Sequence, residues 1–404
     1  MFKAIGKKGF VLIWISCFAL LMILIILPLI GWSVNEYNWT SRSYMSLQAL
    51  NLADAGAELA IWEIVHNGAS FAAWSGTNPH TLTITSFKDN FDKNAGDISI
   101  SVQTISPYNY LITSTGFVPN SANAKVEKTV KVKVFPHPLF NNAAFGYDSV
   151  ILQGISRIDS YNSSLGPYSA LTAQSNGDVG TNGDFTRSGN STVMGDVFIG
   201  PDGTASGNNP PYVTGDTYYF GNEVELIDVP FDSTYFNSLP SSGTLSLSSD
   251  ETATIPSGDY RYESISLISK SALTISPNTR VYINNDFTIT AQAVVYSGAN
   301  VILYIGGDGS FAGQGIVNAS ALPSNLQIYG LGTGTTFNFV GTSDFYGTVY
   351  AQGSSINLGG TNTYFGAVIG KTVNLSGTGQ LHYDEALSTN GPISGYDIAY
   401  WQEN

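Results

Sequence analysis

Across residues 141 to about 387 the sequence returns to itself at intervals near 20 residues, and this rhythm restricts the possible folds more than any other feature. GTVYAQGSSINL (347–358) aligns with GAVIGKTVNL (366–375), the first halves offset by 19 residues and the second by 17. VYINNDF (281–287) returns as LYIGGDG (303–309) after 22 residues, and YG at 329 and 346 and FG at 365 keep the same spacing. Each run is short and β-prone, with Gly, Asn, Asp and Ser between. A unit of this size cannot bury its apolar face alone, so it must stack on the next coil. The expectation is a single-stranded right-handed β-helix of about 12 rungs, about 55 Å long at ~4.8 Å per strand. The unequal offsets place insertions in the loops, where a binding surface would lie.

Composition agrees with a mainly β body. Charged residues make up 11% of the 404, and there are 43 glycines and 12% aromatics, a profile of short strands and tight turns. Three of the 16 basic residues, Lys3, Lys7 and Lys8, precede Glu36, which leaves 13 against 30 acidic residues for the rest. Such a surface repels phosphate backbones and argues against nucleic-acid binding. Cys17 is the one cysteine, so no internal disulfide forms.

From Phe10 to Trp32 the chain is almost wholly apolar, long enough to cross a ~30 Å hydrocarbon layer as a helix. The run is longer than a secretory signal core and lacks an A-x-A end. With the lysines before the span and none just after it, the N-terminus is expected in the cytoplasm and the body outside. Residues 33 to 65 hold no proline, and ALNLADAGAELAIWEI (49–64) sets Leu52, Ala53, Ala57, Ala60, Ile61 and Ile64 on one stripe. Span and stripe read as one helix of about 55 residues, roughly 80 Å long. Pro28 predicts a kink or a melted turn within it. After the helix, ISISVQTI (98–105), YNYLITSTGF (108–117) and KVEKTVKVKVF (125–135) alternate, a small antiparallel sheet with one dry face.

Lys-Gly-Phe at the head of the apolar helix resembles the type III signal of type IV pilins and pseudopilins. The resemblance implies cleavage by prepilin peptidase between Gly9 and Phe10 and methylation of the new N-terminus. ALNLADAGAELA is similar to the A-x-x-A-A-E-A-G segment of the PilX type of minor pilin, with Asp54 where that pattern has glutamate. Ala53, Gly56 and their small neighbours would let adjacent helices or the head sheet come close. Where major pilins carry a glutamate that neutralises a neighbour's amine, this chain has Trp14, as the K-type pseudopilin also lacks the carboxylate. That departure implies a tip or priming subunit. The resemblance implies partners among other pilins or pseudopilins, the inner membrane before assembly, and a later place in an extracellular filament. Through IDSYNSSLGPY (158–168), GDVGTNG (177–183), FYGTVYA (345–351), FGAVIGK (365–371) and LHYDEAL (381–387), the β-helix half looks like a domain often found behind PilX-type N-termini, which carries no assigned activity.

The expected organisation is therefore a leader (1–9), a transmembrane spine helix (10–65), a pilin-like α/β head (66–138), a β-helix (139–390) and a C-terminal tail (391–404). The expected role is display of the β-helix for binding or adhesion to a surface or glycan ligand, without enzymatic activity, cofactor or metal. The alternatives are a membrane-anchored β-helix enzyme acting on polysaccharide and a static envelope adhesin. Asp178, Asp184, Asp196 and Asp216 each follow Gly, a pattern that turn geometry explains as readily as paired catalytic carboxylates do. His382, Asp384 and Glu385 read either as an acid–base or metal cluster or as a polar turn capping the last, exposed coil. GDVGTNGD (177–184) has oxygens for calcium but lacks a D-x-D-x-D-G loop. Tyr161, Tyr168, Tyr212, Tyr218, Tyr219 and Trp401 would suit a sugar-stacking surface or ordinary cores and ladders.

Overall fold

A computed structural model describes residues 7–66, 69–88, 93–106 and 108–403, with residues 7–13 as backbone only. The first six residues of the expected leader lie outside the described residues. The chain divides into two compact units, one running to Pro136 and resuming at Tyr396, the other spanning His137–Gly395.

The first unit is a 60-residue helix, Lys7–His66, on a five-stranded sheet. At 1.5 Å per residue the helix is about 90 Å long. It runs unbroken through Pro28, so the melted turn expected there is absent. Its C-terminal half buries Ala49, Leu52, Ala53, Ala57, Ala60 and Ile64. The sheet answers with alternate residues of Asn94–Ser106, Asn109–Val118 and Val126–Pro138, which pair antiparallel. The register sets Val102, Ile112 and Val132 side by side, and beside them Ile100, Ser114 and Val130. Small residues face each other across this interface, so helix and sheet approach closely. Within the expected tail 391–404, Ile393–Glu403 is a strand at the edge of the same sheet, next to Val126–Pro138. Its Trp401 indole donates to Asp54 on the helix at 3.1 Å, and Tyr396 packs on Tyr110. The alternation in ISGYDIAYW is short, and its partner strand lies far away in the sequence, so local pattern did not reveal it.

Asp97 ties the sheet's turns together by accepting from the Ser121 amide (2.8 Å), the Ser86 amide (2.9 Å) and the Ser121 hydroxyl (2.8 Å). The Ser121 and Ser86 amides hold its carboxyl below the usual aspartate range. A carboxyl depressed by folding stabilises fully above the unfolded value, near pH ~3.9, and loses that contribution as pH falls through the native one. Asp97→Asn is expected to flatten the acid limb of the first unit's stability. Urea midpoints between about pH 5 and pH 3 check this, and an unchanged pH slope would refute it.

The second unit is a parallel β-solenoid. One face stacks ten strands among the described residues, in the order Thr244–Leu247, Ser264–Leu267, Phe287–Ile289, Gly309–Phe311, Thr336–Phe339, Phe345–Leu358, Thr363–Leu375, Ala144–Leu152, Asp184–Arg187 and Ala205–Ser206. Leu247, Leu267, Ile289, Phe311, Phe339, Leu358, Leu375 and Leu152 stand in register through the core. Outside, Asn338, Asn357 and Asn374 form an amide ladder with bonds of 2.8 Å.

The stacking order is not the chain order, which corrects the expectation of a simple sequential coil of about 12 rungs. The chain enters mid-stack at Ala144–Leu152 and winds outward to Thr217–Tyr219. It then runs along the outside through residues 220–243 and winds back from Thr244 until Gln380–Asp384 pairs with Arg157–Tyr161. The stretch 220–243 forms a strap in place of rungs, which is why ten layers are found. The strap covers a tyrosine column, Tyr282, Tyr304, Tyr329 and Tyr350, in register on successive layers. Tyr350 donates to the Ile227 carbonyl at 2.5 Å and Tyr304 to that of Pro230 at 3.1 Å. The Asn182 side chain grips Val224 through both its amide N–H (2.8 Å) and its carbonyl (2.9 Å). Phe231 and Phe236 close the far end against Tyr282 and Tyr304.

Candidate functional site

The first candidate is the spine helix. Gly9 and Phe10 lie in its first turns as backbone, and their side chains are outside the described residues. Every residue from Trp14 to Thr40 is exposed, Trp14 at 65% and Pro28 among them. The helix is long and apolar enough to cross a membrane, and its most apolar stretch is buried nowhere. Ala53, Asp54 and Gly56 belong to the other half. Ala53 is fully buried against the sheet, and a Cβ on Gly56 would fall 2.3 Å from Ser114 Oγ and 2.6 Å from Ile98. The head sheet therefore takes up the small residues, and Asp54 receives Trp401. The surface left for partners is the bare apolar half.

The second candidate is the cluster around His382. It does not cap an exposed coil. Because Arg157–Tyr161 stacks on Gln380–Asp384, the cluster lies at a seam within the solenoid, with His382 1% and Asp159 0% exposed. His382 Nδ1 pairs with Asp159 Oδ1. Asp159 Oδ2 accepts from Arg157 Nε (2.8 Å) and from the Tyr168 hydroxyl (3.0 Å). Tyr168 lies over the imidazole with ring centroids 3.7 Å apart, and Phe365 flanks it at 5.1 Å. Burial, with Asp159 beside it, pushes the Tyr168 hydroxyl up to about 12. Asp384 accepts from the amides of Ser163 (2.9 Å) and Ala386 (3.1 Å), and Glu385 from Ser160 Oγ (2.7 Å) and Asn176 (2.9 Å). Asp384 and Glu385 thereby hold the insertion 162–177 over the seam. A buried imidazole roofed by tyrosine offers no path to a substrate, so the arrangement fastens the two windings together. Among the described residues no group of three His, Cys, Asp or Glu is placed to hold a metal ion.

The acidic turns act across layers. Asp178 Oδ1 accepts the Asp196 amide and Asp196 Oδ1 the Asp216 amide, both at 2.8 Å. Asp184 Oδ1 takes the amide (2.9 Å) and hydroxyl (2.7 Å) of Thr204, which hold its carboxyl below the usual range. Burial pushes the Asp178 carboxyl up. Each of these three carboxylates caps the turn of the next layer. In GDVGTNGD, Asn182 is engaged by the strap and Thr181 Oγ1 by the Gly183 amide. The aromatic set does not form one surface. Tyr161 and Tyr168 roof the seam, Tyr212 lies under the Arg187 guanidinium, Tyr218 and Tyr219 are exposed on the last layer, and Trp401 belongs to the other unit. The strap and the tyrosine column escaped the sequence reading. The usable signal was the tyrosine repeating in VYI, LYI, IYG and VYA at 282, 304, 329 and 350.

Comparison with known proteins adds one local match. The family model described as "Domain of unknown function (DUF7305)" matches residues 230–390. That span is the second winding with the end of the strap, and it omits the layers built from 144–219. No curated protein matches. Among solved structures, the competence-associated pilin ComZ from Thermus thermophilus aligns over 89% of this chain and 97% of its own, at 11% identity and a TM-score of 0.22. At that TM-score the likeness carries no argument about fold or function.

Proposed function

We propose that the chain is a minor subunit, at the tip or in a priming role, of a type IV pilus or type II secretion-like filament, and that it carries the solenoid outside the cell for binding or adhesion. The observation that carries this reading is the division of one helix. Its second half is buried on the head sheet, while every residue from Trp14 to Thr40 is exposed, most of the first part apolar. A bare apolar rod needs an apolar partner. In this reading it is first the inner membrane, with the N-terminus cytoplasmic, and then the helices of other pilins or pseudopilins. Prepilin peptidase cuts between Gly9 and Phe10, and Trp14 in place of a glutamate suits a subunit that meets no earlier amine. The polysaccharide-enzyme alternative gains nothing from Asp178, Asp184 or Asp196, which cap turns, or from the buried His382.

Mass spectrometry of the protein from its native membrane and from sheared filaments tests the proposal. The expected result is a chain beginning at methylated Phe10, present in the sheared fraction at far lower abundance than the bulk subunit. A chain beginning at Met1, or one absent from sheared filaments, overturns it.

A further inference from the structure

Between the strap and the solenoid wall runs a cleft of about 750 Å³. Its floor is a glycine corner. A Cβ on Gly332 would fall 2.4 Å from the Gly306 carbonyl oxygen, and one on Gly353 would fall 2.6 Å from that of Gly332. Close stacking thus forbids side chains there, and a trough results. Tyr147 stands at one end and Tyr282 at the other. Their strands are five layer steps apart, through Thr363–Leu375, Phe345–Leu358, Leu326–Gly330 and Val301–Ile305, which is about 24 Å. The outer wall carries the carboxylates of Glu223, Glu225 and Asp228, and among the described residues no Lys or Arg lines the cleft. The backbone N–H groups of Glu225, Leu226, Ile227 and Asp228 have no partner among the described residues.

We propose that this cleft binds an extended basic polypeptide segment of a partner protein. Such a segment pairs its backbone with the open amides of the strap and sets alternate Lys or Arg side chains against Glu223, Glu225 and Asp228. Alternate side chains of an extended peptide repeat at about 6.8 Å, which suits Glu223 and Glu225, two residues apart, while Asp228, three residues further on, meets a later basic side chain of the segment. A neutral glycan brings no charge to offset the desolvation of three carboxylates. The site lies wholly in the second unit and holds whether or not the helix enters a filament.

The test is fluorescence anisotropy of the full chain in detergent micelles with the dye-labelled peptide Lys-Val-Lys-Val-Lys-Val-Lys at about 150 mM salt. Saturable binding is expected, weakened roughly tenfold or more by E223Q, E225Q and D228N together. Thr333→Trp, which fills the cleft without changing charge, is expected to weaken it as much. The charge-matched set D202N, D250N and D344N, on exposed turns elsewhere, should change it by less than about twofold. All variants must keep the parent circular dichroism spectrum. Equal weakening by the charge-matched set, no effect of Thr333→Trp, stronger binding of a glucosamine tetramer, or no saturable binding overturns the proposal.

Discussion

Replacing Asp159 with alanine is expected to destabilise the solenoid by about 1–3 kcal/mol, because it leaves the buried His382 ring nitrogen without its hydrogen-bond partner. The buried His382 would lose its partner, while the partly exposed Tyr168 and Arg157 would find solvent again. Urea unfolding followed by a probe in the second unit measures the loss. Hydrogen exchange locates it, with protection falling first in 157–161 and 380–385, the two strands that meet at the seam. A second variant separates fastening from function. His382 continues an outward column in which Tyr346 stacks on Phe365 at 4.3 Å. The double change Asp159→Leu with His382→Phe would extend that column in apolar form, and it should recover most of the stability. If the double variant is as unstable as Asp159→Ala, the seam depends on its charges rather than on packing.

Whether such a seam exists could not be read from spacing. Offsets of 17 to 22 residues announce stacked coils, and the alternation in residues 98–134 announces the head sheet, because both patterns are local and periodic. Neither contains information about which coil lies on which. Pairing of Ile158 with Leu381 joins positions more than 200 residues apart, and a sequential stack would satisfy the same pattern of short strands. Hence His382 looked like an exposed end and is instead interior. The same limit hid the role of Asp54, whose partner Trp401 comes from the other end of the chain. Ala53 and Gly56 were visible as small residues on a helical stripe. Their counterparts Ser114 and Gly116 were not singled out, since a glycine in an alternating strand gives no sign of what presses against it. The carboxylate turns were legible in kind, because Gly-Asp at a turn has a geometric cause, though not in their reach from one layer to the next.

Gly116→Val is expected to detach the helix from the head sheet, with a loss of more than about 3 kcal/mol in the first unit. A Cβ at this position would fall 2.1 Å from the Ala49 carbonyl oxygen, 2.8 Å from Leu52 Cβ and 2.9 Å from the Ala53 amide nitrogen. Two of those atoms are helix backbone, so no rotamer change relieves the clash and the helix must move away as a body. Ala49, Ala53 and Ala57 would leave the sheet together, and their small size is useful only while sheet and helix stay close. Gly56→Ala acts on the same interface one turn further on, but its nearest neighbours are the side chains of Ser114 and Ile98, which can shift. It should therefore cost less than Gly116→Val. Denaturation monitored by Trp62 and Trp74 fluorescence ranks the two, and hydrogen exchange over residues 49–64 reports undocking directly. Should Gly116→Val leave protection of 49–64 unchanged, the close approach of helix to sheet is not what holds the head together. If it falls as expected while the solenoid transition stays in place, the first unit's stability rests on that interface, and the exposed half of the helix is free to serve an external partner.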